Sequence, residues 1–79
     1  MTKREVLEIF YQNERYLAPD GLRRQLREFH HRSSVYSYLF RLHKQGLLSR
    51  QRFDGRIAYR ISQRGIKRLD FLTRAEDQL

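Results

Sequence analysis

The sequence has no cysteine, a single proline, and no apolar run approaching 18 residues. Without cysteine there are no disulfides and no thiolate metal sites, which fits a reducing cytoplasm. Without a long apolar run there is no membrane-spanning helix. The opening MTKREVLEIF carries charges inside its apolar stretch and no small-residue cleavage site, so it does not read as a secretory signal. Catalytic signatures are missing too: there is no glycine-rich phosphate loop, no HExxH, no GxSxG and no close Ser/His/Asp grouping. The expectation is a non-enzyme without a cofactor. No repeat, low-complexity segment or linker is visible. Seventy-nine residues allow one small domain, taken as 1–79 with 75–79 as a frayed tail.

Acidic residues are also scarce, 9 against 17 basic ones, which leaves a net charge of +8. Only Lys3, Lys44 and Lys67 are lysines, so 14 of the 17 are arginines. Arginine presents a planar fork suited to phosphate and to guanine edges. A basic domain of this size points first to nucleic acid; an anionic membrane surface, an acidic protein partner and simple solubility are the competing readings.

The stretch Ser33–Leu47, SSVYSYLFRLHKQGL, organises the rest. At about 100° per residue, Val35, Leu39 and Leu42 form one apolar stripe with Tyr38 at its edge. Ser33, Ser37, Phe40, Arg41 and Lys44 fall on the opposite side. The spacing predicts a helix over 33–45, with Ser33 or Ser34 as N-cap and Gly46 as the left-handed residue after it. Small donors followed by cations suit a helix that enters the major groove; an ordinary amphipathic helix with a solvated face would look similar.

Upstream, Thr2-Lys3-Arg4-Glu5 reads as a reciprocal capping box for a helix to about Asn13, with Val6, Leu7 and Phe10 inward. Ile9 and Tyr11 fall off that centre. Tyr16-Leu17-Ala18 suits a very short strand. Pro19 and Asp20 open a second helix, Asp20–Phe29, whose inner row is Leu22, Leu26 and Phe29. Arg23, Arg24 and Arg27 project elsewhere, and Arg23 and Arg24 join the candidate DNA contacts. His30-His31-Arg32 forms the turn into the third helix. With His43 distant and no suitable acid cluster, these histidines read as turn residues rather than metal ligands.

Downstream the period changes to two. LSRQRF and IAYRI flank Asp54-Gly55, a strong hairpin signal. Arg50 and Arg52 precede the turn, and Arg56 and Arg60 follow it. Arginines can simply keep an edge hairpin from aggregating, but four around one turn exceed that need. Ser62 is the expected N-cap of a last helix, about Gln63–Arg74, with Ile66, Leu69 and Leu72 inward. Phe71 lies off that row. Ile9, Tyr11 and Phe71 together are candidates for a homodimer interface.

Helix, turn, capped helix and hairpin give an α+β chain, mainly α with a small β-hairpin, in the winged helix-turn-helix order α-(β)-α-α-β-β-α. Val35-Tyr36, Leu39, Arg41-Leu42 and Gly46-Leu47, continuing through Arg56, Tyr59, Ile61-Ser62 and Gly65, resemble the consensus of PadR- and MarR-like regulators over about Leu17–Leu72. Tyr16–Leu47 also resembles the DNA-binding half of Fur-type metalloregulators. The 79 residues do not reach into the long C-terminal helices of PadR proteins or the metal-binding half of Fur proteins. The resemblance implies a transcriptional regulator of double-stranded DNA, cytoplasmic and nucleoid-associated. It places Ser34, Tyr36, Ser37 and Arg41 towards bases and Arg52 and Arg56 on the wing. No effector is legible. A plasmid or phage replication accessory, an RNA binder and a winged-helix protein-interaction module are the alternatives.

Overall fold

The computed structural model describes the backbone of residues 1–77 and the side chains of residues 1–75. Its elements run α1 (Lys3–Asn13), α2 (Pro19–Gln25), α3 (Arg32–Lys44), β1 (Leu48–Phe53), β2 (Arg56–Ile61) and α4 (Gln63–Asp77). Helix α1 begins as its sequence requires: the Thr2 hydroxyl accepts the Glu5 N–H at 3.1 Å. The expected return contact from Glu5 is replaced by another. Its carboxylate accepts the Arg27 N–H at 3.2 Å, tying α1 to the chain beyond α2.

That tie accompanies the largest departure from the sequence reading. Helix α2 stops at Gln25, and Leu26 turns extended (φ −71°, ψ 143°) while staying buried. Four residues of expected helix, 26–29, are therefore not helical. Phe29, expected on the inner row, is 74% exposed instead. An amide pair between Asn13 and Gln25, at 3.1 and 3.3 Å, holds the end of α2 against the end of α1.

Helix α3 starts one residue early. Its N-cap is His31, with no side-chain cap bond, so Ser33 and Ser34 sit inside the first turn rather than capping it. Its C-terminus closes in a Schellman motif: Leu47 N–H bonds Leu42 O at 3.0 Å, and Gly46 N–H bonds His43 O at 2.9 Å. Gly46 takes φ +79°, which a side chain resists, and Leu47 folds back fully buried.

Strands β1 and β2 pair antiparallel, from Leu48 opposite Ile61 to Phe53 opposite Arg56. Asp54 and Gly55 form the turn at φ 49° and 78°, the left-handed pair that a two-residue hairpin needs. Leu17 supplies one further bridge to Tyr59, with reciprocal bonds of 2.7 and 2.9 Å, so the short strand expected at 16–18 is a single pair. Ser62 caps α4. Its hydroxyl accepts the Gly65 N–H at 3.0 Å and donates to Gly46 O at 2.6 Å, joining the two helix ends. Helix α4 continues through Asp77, so residues 75–77 of the expected frayed tail are helical; Gln78 and Leu79 lie outside the described residues.

The core gathers Val6, Leu7 and Phe10 of α1, Leu22 and Leu26, Val35, Leu39 and Leu42 of α3, and Leu47, Leu48, Tyr59 and Leu69. Ile9 belongs to it as well, 9% exposed, against the expectation that it faces away. Ile61 is half-buried at its margin, and Ile66, expected inside, is half-buried as well. The core fixes α3 by its inner stripe, with Tyr38 and His43 half-buried beside it, and leaves the opposite face of that helix in solvent.

Candidate nucleic-acid interface

The inner stripe of α3 dictates what its other side presents. With Val35, Leu39 and Leu42 buried, Ser33, Ser34, Tyr36, Ser37, Phe40, Arg41 and Lys44 are all exposed. The structure brings these seven expected residues onto one convex helical surface. Ser33, Ser34, Ser37 and Arg41 line one shallow concavity together with Met1 and Tyr38. Hydroxyls and a guanidinium there supply donors and acceptors of the kind that base edges pair with.

The hairpin joins this surface at the C-terminal end of α3. Leu48, Arg50 and Arg52 of β1 share a sheet face with Ile61, Tyr59 and Ile57, as the register requires. Arg50 reaches over the Phe40 ring, its Cζ 5.4 Å from the centroid, and Lys44 Nζ lies 5.3 Å from the same centroid. His43 is half-buried behind them. Its Nδ1 lies 3.2 Å from Leu48 O, which makes that nitrogen the protonated donor. The His43 ring also meets Tyr59 edge-on at 6.3 Å. Burial pushes the Tyr59 phenol above the ordinary tyrosine range, against the pull of Arg50 through charge and hydrogen bond. Burial likewise raises Tyr38, opposed by Arg41. Arg52 and Arg56 are exposed near the hairpin tip. Phe53, across from Arg56, stacks edge-on against Tyr16 at 5.2 Å, which steadies the tip from the α1–α2 connector.

The α2 arginines divide. Arg24 is exposed. Arg23 is half-buried and engaged: its Nε donates to His30 O at 3.0 Å and its guanidinium lies over Phe29 at 5.4 Å. It holds the turn into α3 as much as it faces solvent. Sequence reasoning missed Arg32. Its guanidinium donates to the Tyr36 hydroxyl at 3.1 Å and pairs with Asp20 at 3.4 Å, joining the starts of α2 and α3. The Tyr36 bond first, and Asp20 second, raise Arg32 further above its ordinary range. The i, i+4 spacing of Arg32 and Tyr36 was a readable signal; the Asp20 contact was not. His30 and His31 lie in the α2–α3 turn, a helix length from His43, and no three His, Asp or Glu side chains converge among the described residues.

Two helices joined by a turn, the second exposing a polar and basic face, and an arginine-bearing hairpin beside it define a winged helix. No protein-family model matches the chain. No curated protein matches it either. Among solved structures it is similar to the ferric uptake regulator from Francisella tularensis, determined with iron, at 23% identity and a TM-score of 0.67. The likeness covers 80% of this chain and 52% of that one, so this chain spans about half that regulator's length. The shared feature is the winged-helix fold. No helix among the described residues is long and apolar enough to cross a membrane.

Proposed function

We propose that this chain is the DNA-binding domain of a transcriptional regulator and not an enzyme. Helix α3 enters the major groove, and the wing follows the phosphate backbone. One observation carries the reading: an exposed face of hydroxyls and cations on α3, with Phe40 among them, runs directly into an arginine hairpin, on a chain of charge +8. Ser33, Ser34, Tyr36, Ser37, Phe40 and Arg41 face bases. Arg24, Lys44, Arg50, Arg52 and Arg56 meet phosphates, with Arg23 steadying the turn. The fold shared with a ferric uptake regulator supports a regulator in general. Assignment to PadR- or MarR-like proteins rests on motif order alone. The iron determined with that regulator is not carried over to this chain.

The site is placed in the cytoplasm with chromosomal DNA as partner, and two copies of the chain form the binding unit. Tyr11 of α1 and Phe71 of α4, 53% and 66% exposed on two helices that pack together, are the surface for the second copy. Ile9 adds little there, since the core already takes it. A two-fold dimer implies palindromic half-sites about 10–10.5 base pairs apart, or a multiple.

Selection from a random duplex library tests the reading. One recovered motif, bound far more tightly than scrambled duplex and weakening steeply with salt, is the expected result. Enrichment of no motif, with salt-sensitive binding to any duplex, would favour a replication accessory or general binder. Binding to no duplex would favour the protein-interaction module.

A further inference from the structure

Phe40 leaves 42% of its surface in solvent near the middle of the exposed face of α3. Single apolar side chains on a surface are ordinary; the surroundings of this one are not. Lys44 comes one turn later on the same helix and Arg50 comes from β1, and both place their charge 5.3–5.4 Å from the ring centroid. Two cations repel each other. Their convergence on one ring needs a compensating attraction, which the negative π face supplies, with the Tyr59 hydroxyl also holding Arg50. The His43 ring lies 6.1 Å away, itself held by Leu48 O at 3.2 Å. The ring is thus gripped from both helix and wing while part of it stays open. Its neighbours leave room for an approaching groove. Ser33 and Ser37 are short, and the Tyr36 hydroxyl is engaged by Arg32.

We propose that Phe40 reads the 5-methyl group of a thymine in the major groove, with Lys44 and Arg50 on the adjacent phosphates. The inference rests on the DNA-binding reading above. The chemistry is selective: the thymine methyl is the one alkyl group that the bases show in that groove, and the principal other base-edge features are hydrogen-bonding atoms. An apolar ring gains from the methyl and offers nothing to those atoms. The two cations bring phosphate to the ring and favour an approach that carries negative charge. A held ring also loses little freedom on contact, so the methyl's burial is realised as discrimination.

The test uses the full chain and the duplex recovered by selection. Each thymine is replaced in turn by deoxyuridine, which removes only the 5-methyl group. The parent protein is expected to lose about fourfold in affinity at one position per half-site, the worth of one buried methyl. Phe40→Ala is expected to bind the thymine and deoxyuridine duplexes alike at that position, with an unchanged salt slope. Its circular dichroism and a cooperative melting transition, lowered only by the loss of the two cation contacts, show that it is folded. Phe40→Leu, still apolar, is expected to keep part of the discrimination. Lys44→Gln and Arg50→Gln are expected to lower the salt slope, each by about one unit. A flat deoxyuridine scan on a selectively bound duplex, or a Phe40→Ala variant that keeps the parent's ratio, overturns the inference and leaves the DNA-binding reading standing. Failure to bind any duplex, with binding of an acidic peptide instead, brings down both.

Discussion

Replacing Gly65 by alanine separates local propensity from tertiary contact. Gly65 lies in the first turn of α4, where alanine should stabilise a helix by about 1 kcal/mol. Here a Cβ would stand 2.1 Å from the Leu47 carbonyl oxygen and 2.8 Å from a carbon of Ile61. The oxygen belongs to backbone and cannot rotate away. It also accepts the Ser62 N–H at 3.1 Å, and Leu47 is itself buried in the Schellman turn. Relieving the overlap means moving α4 off that turn by more than an ångström. Overpacking of this kind costs about 1–3 kcal/mol, and weakening the Ser62 bond adds about 1 kcal/mol. Set against the propensity gain, the net loss is about 1–3 kcal/mol. For a domain of this size that lowers the melting temperature by roughly 4–24 °C. Thermal denaturation followed by circular dichroism reads it. Gly21→Ala is the control: it too is a helical glycine, but its Cβ would meet only the end of the Leu17 side chain, at 2.8 Å, which can rotate. Gly21→Ala should therefore change stability far less. If Gly65→Ala melted at or above the parent temperature, the close approach of α4 to the α3–β1 turn would be wrong.

Leu42→Ala should cost about 2–5 kcal/mol, because Leu42 is 1% exposed at the centre of the core; Phe29→Ala, a larger truncation, should cost only about 0.5–1 kcal/mol, since Phe29 stands outside it and loses chiefly its contact with Arg23. Chemical denaturation of the two variants checks the order, and reversal would refute the short α2. Arg41→Ala should lose about 1–3 kcal/mol on the selected duplex and relax specificity at one or two base pairs. Arg52→Ala and Arg56→Ala should weaken binding to all duplexes alike and lower the salt slope by about one unit each. Affinities for selected and scrambled duplex at several salt concentrations decide it; a changed specificity ratio in the wing variants with none in Arg41→Ala would reverse the division. Stability should fall as pH rises above about 10, where unfolded tyrosines ionise. Burial raises the folded values of Tyr38 and Tyr59, so the unfolded chain releases these protons first; stability is full below the unfolded value and is lost as pH rises towards the folded ones. Denaturant unfolding at pH 8 to 11 measures it, and Tyr38→Phe should reduce the loss.

What the sequence alone determined rests on local signals. The Thr2 cap, Pro19 at a helix start, Gly46 after a helix, Asp54-Gly55 in a hairpin and Ser62 before α4 each act through a few neighbouring residues. The apolar period of α3 decides which of its faces is buried, so Ser33, Ser37, Phe40, Arg41 and Lys44 were readable as one exposed surface, as was the arginine hairpin that follows. Tertiary structure decided the rest, because the deciding partners are distant in the chain. Helix α2 ends early where the Glu5 carboxylate, 22 positions before, takes the Arg27 N–H, and Phe29 is turned outward beyond it. Ile9 is inside because α1 is covered on more than one side, by the sheet, α2 and α4. Arg50 and Phe40 meet because the Schellman turn swings β1 back beside α3, and no spacing in the sequence encodes that distance. Gly65 reads as a helix weakener until Leu47 is placed against it; the absent side chain is then what lets the last helix close on the wing.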